Sequence, residues 1–313
     1  MLQAGHDKAC LYNGEEMYMS DEQWQGLVKR QRLGEREITE ILQLLRICNA
    51  YENIHIRIIV RSLALRSDDI YHDFLYYEQG QLVGYIMLDG EGDDGELTGM
   101  VHPEYRRRGL FRTMLNALYE ECRWRGVERL ILVCERSSPS GQAFMRTLAD
   151  KVTPVLAEHE MVLTDYRPRA IVGEHVALHL MTWEDVAAVV AVMAASDEEA
   201  ERMRSFFVTS LRTPGERFYL GTLHGQPVGV LRLVEMGDGR TGIYTFNVRP
   251  TLRGRGYGRQ MLQAAIHIAR EERAREIMLE VDIENTNALG LYRSVGFTVK
   301  TTYEYYQLNL QIQ

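Results

Sequence analysis

The run Arg253-Gly254-Arg255-Gly256-Tyr257-Gly258-Arg259 sets three alternating glycines among three arginines, where a β-rich stretch gives way to a helix-like one. A helix start offers unpaired N–H groups and the positive end of the dipole, which suit a phosphate. Glycines let the main chain approach such an anion without a Cβ in the way, and arginines add forked, charged donors. The group such a turn would hold is a diphosphate. In isolation the run also reads as a basic, solvated turn; its place at a strand-to-helix junction favours the anion site. It is neither the GxGxxG of dinucleotide sites nor followed by the GKS or GKT of a nucleotide loop. Further on, Glu280 stands between Leu279 and Val281 on an apolar strand. Burial there would raise its pKa and fit it to accept a proton, although alternation alone equally allows a solvent-facing or ion-paired glutamate. Tyr292 shares an apolar helix face with Ala288, Leu291 and Val295 and, taken alone, is a core aromatic.

Around these residues the chain divides into recognisable strands and helices. TGIYTFNV (241–248) is a β-rich run that stops before Pro250. From Gly256 to Arg273, Met261, Leu262, Ala265, Ile266 and Ala269 recur at helical spacing. EIMLEVDI (276–283) is a strand, Asn285 to Val295 a helix, and TTYEYYQLNL a closing strand. Upstream, VALHLMT is a strand, and Thr182 caps a helix with Glu184 and Asp185 in its first turn. ERFYLGTL and PVGVLRLVEM form a hairpin about His224-Gly225. The order β-α-α-β-β-β-α-β-α-β-β implies a mixed α/β sheet with crossover helices.

The same pattern occurs twice. VHPEYRRRGLFRTMLNA (101–117) precedes VRPTLRGRGYGRQMLQA (248–264) by 147 positions, with nine of 17 pairs identical. GQLVGYIML (80–88) precedes GQPVGVLRL (225–233) by 145, which implies a two-residue length change in the intervening turn. So long a period means that each copy is a whole domain. The expected fold is therefore α/β (mixed α+β), as two tandem domains, 1–166 and 171–313. Each carries a mixed, mostly antiparallel sheet flanked by helices, with the boundary in the polar stretch Tyr166-Arg167-Pro168-Arg169. The first copy has extra helical sequence in front, SDEQWQGLVKR and REITEILQLLRI.

NVRPTLRGRGYGRQML followed by LEVDIENTNALGLYRSVGF resembles the GNAT (Gcn5-related N-acetyltransferase) superfamily, over all of the second copy and more weakly over the first. The resemblance implies acetyl-CoA as cosubstrate and an amine as acceptor. Arg253, Gly254, Arg255, Gly256, Tyr257, Gly258 and Arg259 would hold the pyrophosphate, and Phe246, Asn247 and Val248 would pair with the pantetheine amides. Asn285, with Ala288 in the same motif, would contact the pantetheine arm. Tyr292 would be the general acid at sulfur. The spacing of Glu280 is similar to that of the base in ribosomal-protein N-terminal acetyltransferases. Many members use a glutamate on the strand before the phosphate turn; TGIYTFNV has no carboxylate, so Glu280 or a water chain is expected to serve. No cysteine lies in the motif, so attack is expected to be direct. Tandem members of this superfamily, including enzymes similar to mycothiol synthase, work with one copy. Here Phe111, Val133, Ser138 and Met145 of the first copy replace Gly258, Glu280, Asn285 and Tyr292, each expected to remove a chemical requirement. The first domain is thus expected to be degenerate and non-catalytic, shaping the acceptor site or buttressing its partner. Arg106 to Gly109 leave weak cofactor binding open.

Composition bounds the alternatives. The 313 residues carry a net charge of −8, which argues against nucleic acid as partner. No apolar run approaches the roughly 20 residues that span a bilayer, and the first ten residues lack the apolar core of a secretory signal, so no membrane and a cytoplasmic location are expected. Four scattered cysteines make neither a disulfide framework nor a CxxC metal site. His175 and His179, about 13 Å apart along a strand, are too distant to share a metal, and GxSxG and HExxH are lacking, so no metal is expected. The amine acceptor is unidentified, the acidic balance favouring a cationic one. Either a monomer or a homodimer is compatible. The alternative function is a non-catalytic acyl-CoA-binding sensor or interaction module; a hydroxyl acceptor or a longer acyl chain is also open.

Overall fold

The computed structural model describes residues 10–12, 15–17, 24–58, 60–64, 66, 69–89, 94–194, 196–237 and 239–308. In chain order the elements begin with β1 (Cys10–Tyr12), β2 (Glu15–Met17), β3 (Gly26–Arg30), α1 (Glu35–Glu52), α2 (Val60–Ala64) and β4 (Asp73–Glu78). They continue with β5 (Gln81–Asp89), β6 (Asp94–Val101), α3 (Leu110–Arg125), β7 (Arg129–Glu135), α4 (Pro139–Thr147) and β8 (Val152–Leu163). Next come β9 (Ala177–Leu180), α5 (Trp183–Met193), α6 (Asp197–Ser210), β10 (Glu216–Leu223), β11 (Gln226–Glu235) and β12 (Arg240–Val248). The last are α7 (Tyr257–Glu271), β13 (Glu276–Asp282), α8 (Thr286–Val295) and β14 (Phe297–Leu308). Two compact units result: Met1–Ile56 with Arg66–Leu132 and Leu308–Gln313, and Arg57–Leu65 with Val133–Gln307. The copy boundary expected between 166 and 171 lies inside the second unit. Among the described residues no helix is long and apolar enough to cross a membrane.

In the first unit the strands run in the order β3-β4-β5-β6-β7. They are antiparallel until β6 meets β7 in parallel, from Asp94↔Arg129 to Leu97↔Leu132. Along α3, Leu110, Met114, Leu118 and Cys122 recur every fourth residue and are buried, the single apolar stripe of an amphipathic helix. GLVKR, expected to be helical, is instead β3: Leu27 lies opposite Tyr76 and Val28 opposite Leu75. Pairing along β4 overrides a composition that also suits a helix.

The second unit has the order β14-β8-β13-β12-β11-β10-β9. Its strands alternate between two cores, as a sheet covered on both faces requires. Leu231 and Leu233 join Ile243, Leu279 and Val281 against Met261, Leu262, Ile266, Leu289 and Val295 of α7 and α8. Phe218, Leu220 and Val230 face Val189, Val190 and Phe207 of α5 and α6. Met278 packs with Val234 and Met236, so Glu280, two residues on, faces away from α7 and α8. β8 precedes the expected boundary yet pairs with β13, from Met278↔Val162 to Asp282↔Glu158. The closing sequence is one strand of 12 residues, not two; no Gly, Pro, Asn or Asp interrupts Phe297–Leu308. Thr182 caps α5 as expected, with Asp185 Oδ2 accepting from its N–H at 2.7 Å.

Candidate active site

The phosphate-type turn forms as its sequence suggests. After β12 a 3₁₀ turn, Pro250–Leu252, leads to Gly254 (φ 76°) and to Gly256 (φ 84°), the N-cap of α7. Positive φ at both positions is where glycine costs least. Arg253 folds back, donating from Nε to the Val248 carbonyl at 2.8 Å and from Nη2 to Asn247 Oδ1 at 3.0 Å. It braces the turn against the end of β12. The first intrahelical bond runs from Gln260 N–H to the Gly256 carbonyl, so the N–H groups of Tyr257, Gly258 and Arg259 precede it and form the mouth. A Cβ on Gly258 would lie 3.4 Å from Val248 Cγ2 and 3.7 Å from both Leu291 and Phe246, at ordinary contact distance from strand and helix. The Tyr257 side chain turns into the core, its hydroxyl donating to Glu174 Oε2 at 2.5 Å, so this residue offers the mouth its N–H alone. Arg259 donates from Nη2 to Ser294 Oγ, and burial, aided by Arg169, pulls its pKa down. Its Nη1 is buried with no hydrogen-bond partner among the described residues. An orphan guanidinium N–H beside a helix start fits an anion.

Beside the turn the sheet opens. The β12–β13 ladder runs from Arg240↔Glu276 to Ile243↔Leu279. Two residues later Thr245 takes φ 48°, and the register against β11 slips between Val230 and Arg232. This is a β-bulge, which bends a strand and re-aims the residues beyond it. Phe246, Asn247 and Val248 lie past it, beyond the last rung to β13, where an extended amide chain suits main-chain groups that need partners. One of the two extra residues of this copy is therefore the bulge within β12, where the sequence suggests the turn alone.

Tyr292 on α8 is 7% exposed, its ring centroid 6.3 Å from that of Phe246 and 6.1 Å from that of Phe297. Burial alone pushes its pKa up to about 12, so the hydroxyl keeps its proton, and among the described residues it has no hydrogen-bond partner. Asn285 is the N-cap of α8, its Oδ1 accepting from Ala288 N–H at 3.1 Å; the two residues build one helix start. Glu280 stands on the opposite face of the sheet, its side chain 9% exposed. Arg57 grips both its oxygens, Nε to Oε1 at 2.9 Å and Nη2 to Oε2 at 3.1 Å. The structure thus gathers the turn, Phe246 to Val248, Asn285, Ala288 and Tyr292, and sets Glu280 across the sheet. Sequence reading misses Arg57, 223 positions from its partner, and Glu160, which lies opposite Glu280 on β8. No local signal marks either, because strand pairing at such separation leaves no trace in spacing.

The corresponding turn of the first copy has the same backbone. Arg107 (φ 66°) replaces Gly254, and Gly109 (φ 83°) is the N-cap of α3. Arg106 braces the strand end, Nε to the Val101 carbonyl at 3.0 Å, but its Nη1 is paired with Glu52. β5 and β6 pair without interruption from Gly84↔Val101 to Asp89↔Glu96. Phe111 takes the place that the Phe246 ring holds beside Gly258 in the second copy: a Cβ on Gly99 would meet its ring at 3.1 Å. Ser138, expected to mark a lost function, caps α4 much as Asn285 caps α8, accepting from Gly141 N–H at 3.1 Å. That substitution conserves the cap, since either side-chain oxygen satisfies a first-turn N–H.

Residues 38–149 and 179–297, more than half of the chain, each match the model of the acetyltransferase (GNAT) family. The chain is 25% identical over 243 residues to a mycothiol acetyltransferase of Renibacterium salmoninarum, covering 69% of each sequence. It is 28% identical over 238 residues to one of Thermomonospora curvata, covering 72% of this chain and 78% of the relative. In fold it is similar to a GCN5-related N-acetyltransferase from Sphaerobacter thermophilus, with TM-score 0.73, 20% identity, and coverage of 91% of this chain and 96% of that one. It is also similar to a tandem GNAT protein from the clavulanic acid biosynthesis pathway, with TM-score 0.69, 16% identity, and coverage of 92% and 99%. With the family model matched once in each copy, this chain belongs to the acetyltransferase (GNAT) family as a tandem member.

Proposed function

We propose that this acetyl-CoA-dependent acetyltransferase passes the acetyl group to a primary amine by direct attack, at a working site in residues 171–313, and that residues 1–166 form a non-catalytic copy. The observation that carries the reading is that one copy alone combines a glycine in the first turn of the helix, Gly258, a bulged strand end and a buried, protonated tyrosine. The N–H groups of Tyr257 to Arg259, with Arg259 Nη1, would hold the diphosphate of acetyl-CoA. The edge of β12 at Phe246–Val248 would pair with the amides of its pantetheine arm.

Burial keeps the Tyr292 hydroxyl protonated across the working pH range, so it would stand ready to serve the departing sulfur as a proton donor. Its part is to donate a hydrogen bond that stabilises charge as it develops on the departing sulfur. The amine reaches the site as an ammonium and must lose a proton before it can attack, for which the carboxylate face around Glu280 is the acceptor. Relatives named mycothiol acetyltransferases favour a small amine over a protein side chain.

A panel of small amines, read by thiol release from acetyl-CoA, tests the activity. Tyr292→Phe tests the site: turnover should collapse while acetyl-CoA still binds. Unchanged turnover would remove the second copy as the site, and thiol release with no amine of the panel would leave the acyl-CoA-binding module as the better reading.

A further inference from the structure

Resting on the site just proposed, the identity of its proton acceptor can be drawn from the carboxylates around Glu280. Arg57 occupies both Glu280 oxygens. Directly opposite, Glu160 is 4% exposed. Residues facing one another across an antiparallel pair point to the same side of the sheet, so both carboxylates stand on the face away from Tyr292. They stand where the sheet opens, for Glu280 is the first residue of β13 beyond the last rung to β12.

We infer that Glu160, carried by β8, is the group that accepts the amine's proton, and that Arg57 and Glu280 are positioning residues beside it. Glu160 Oε1 accepts no hydrogen bond among the described residues. Among the described residues Oε2 takes only a long one, 3.5 Å, from the Tyr303 hydroxyl. Lys300 Nζ approaches Oε1 at 3.5 Å but makes its shorter contact, 3.1 Å, with Glu276. A buried carboxylate left so short of donors is expensive to keep ionised. Burial accordingly raises its pKa above the usual range, Lys300 and Arg240 oppose that rise, and Glu280 and Glu276 add to it. Among the described residues, the pair is also neighboured by the hydroxyls of Tyr244 and Tyr303, both held protonated by burial, by Glu158, whose own pKa burial also raises, and by Asp282 opposite Glu158, with Glu135 acting on Tyr303. Glu160 precedes the copy boundary expected from the repeat, so a strand encoded with the non-catalytic copy supplies a catalytic group.

The step balances. An alkylammonium gives one N–H proton to Glu160, and the freed lone pair forms the C–N bond as the C–S bond breaks. The second N–H proton is delivered, in net, to sulfur as the amide forms, and Glu160 returns its proton to solvent.

The experiment measures single-turnover loss of acetyl-CoA with two acceptors, the amine found in the panel and water alone, across pH, for the full chain and its variants. Glu160→Gln should lower the rate by about 100-fold with acetyl-CoA affinity within about twofold. It should also abolish the acid limb, since the base works only above its raised pKa and the rate of the unaltered chain should climb through that value. Glu160→Asp should restore part of the rate together with the limb. Carbon-13 NMR of labelled glutamate should find Glu160 protonating at higher pH than the exposed glutamates in the resting protein. A Gln variant within about threefold of the unaltered chain, or one with an unchanged limb, overturns the inference. If that variant fails to fold, an Asp variant with undiminished rate does the same. Loss of activity in Tyr292→Phe but not in Glu160→Gln removes only this inference, whereas activity retained in both removes the proposed site itself.

Discussion

The two glycine-arginine turns of this molecule share a backbone and differ in what fills them. Both place a positive-φ residue two positions before a positive-φ glycine N-cap, and both use an arginine Nε to hold the strand end. In the second copy the pair is Phe246 on the strand and Gly258 on the helix; in the first it is Gly99 and Phe111. The large and small residues have changed places. Packing is maintained by either arrangement, as expected where total volume is conserved, but the bulky side chain comes from the helix start in the first copy and from the strand in the second. Charge follows the same division, since Arg106 is paired with Glu52 whereas Arg253 meets the neutral amide of Asn247. A turn can thus keep its backbone while the side chains and ion pairs around it change.

Changes that make one copy resemble the other test this contrast. The largest effect should come from Tyr292→Phe, which removes the donor that Met145 already lacks: kcat should fall roughly 100- to 1,000-fold with acetyl-CoA affinity unchanged by calorimetry. In the unaltered chain the rate should not decline on account of Tyr292 until pH nears its pKa of about 12, because the hydroxyl donates only while protonated. Next, Gly258→Phe should install the obstruction of the first copy and weaken acetyl-CoA binding by about 100-fold or more, the cost of denying several charge-assisted N–H contacts at about 1.5–3 kcal/mol each. Circular dichroism should show the helices intact. The reverse change, Phe111→Gly, should cost about 2 kcal/mol in denaturant unfolding through lost burial. Calorimetry should still count one tight site, since β6 lacks the bulge and Arg106 remains paired; two tight sites would mean that the ring alone silences the first copy. The smallest effect should be shared: Asn285→Ala and Ser138→Ala should each cost about 1 kcal/mol, and a much larger activity loss in Asn285→Ala would mark it as a ligand contact as well as a cap.

Much of the site is legible without any knowledge of the fold. The repeat, the junction that carries the turn, the cap at Thr182 and the stripe on α7 depend on residues within a few positions of one another. Their sequence patterns translate directly into backbone and burial. GLVKR escapes such reading because its state is decided by Tyr76 and Leu75 on a neighbouring strand, not by its own propensity. The slip in β12 is hidden because a bulge and a longer turn change the residue count alike. Glu280 stands out as a carboxylate on an apolar strand, but its grip by Arg57 cannot be foreseen.

By itself, then, the sequence determined that two acetyltransferase-type copies exist and where in each the glycine-arginine turn joins strand to helix. Only the tertiary structure decided which carboxylates meet. Hydrogen-bonded ladders join β8 to β13 and an ion pair joins Arg57 to Glu280 across long stretches of chain. Such contacts are selected by the packing of whole faces, whose free energy is a sum over many residues rather than a property of any short segment.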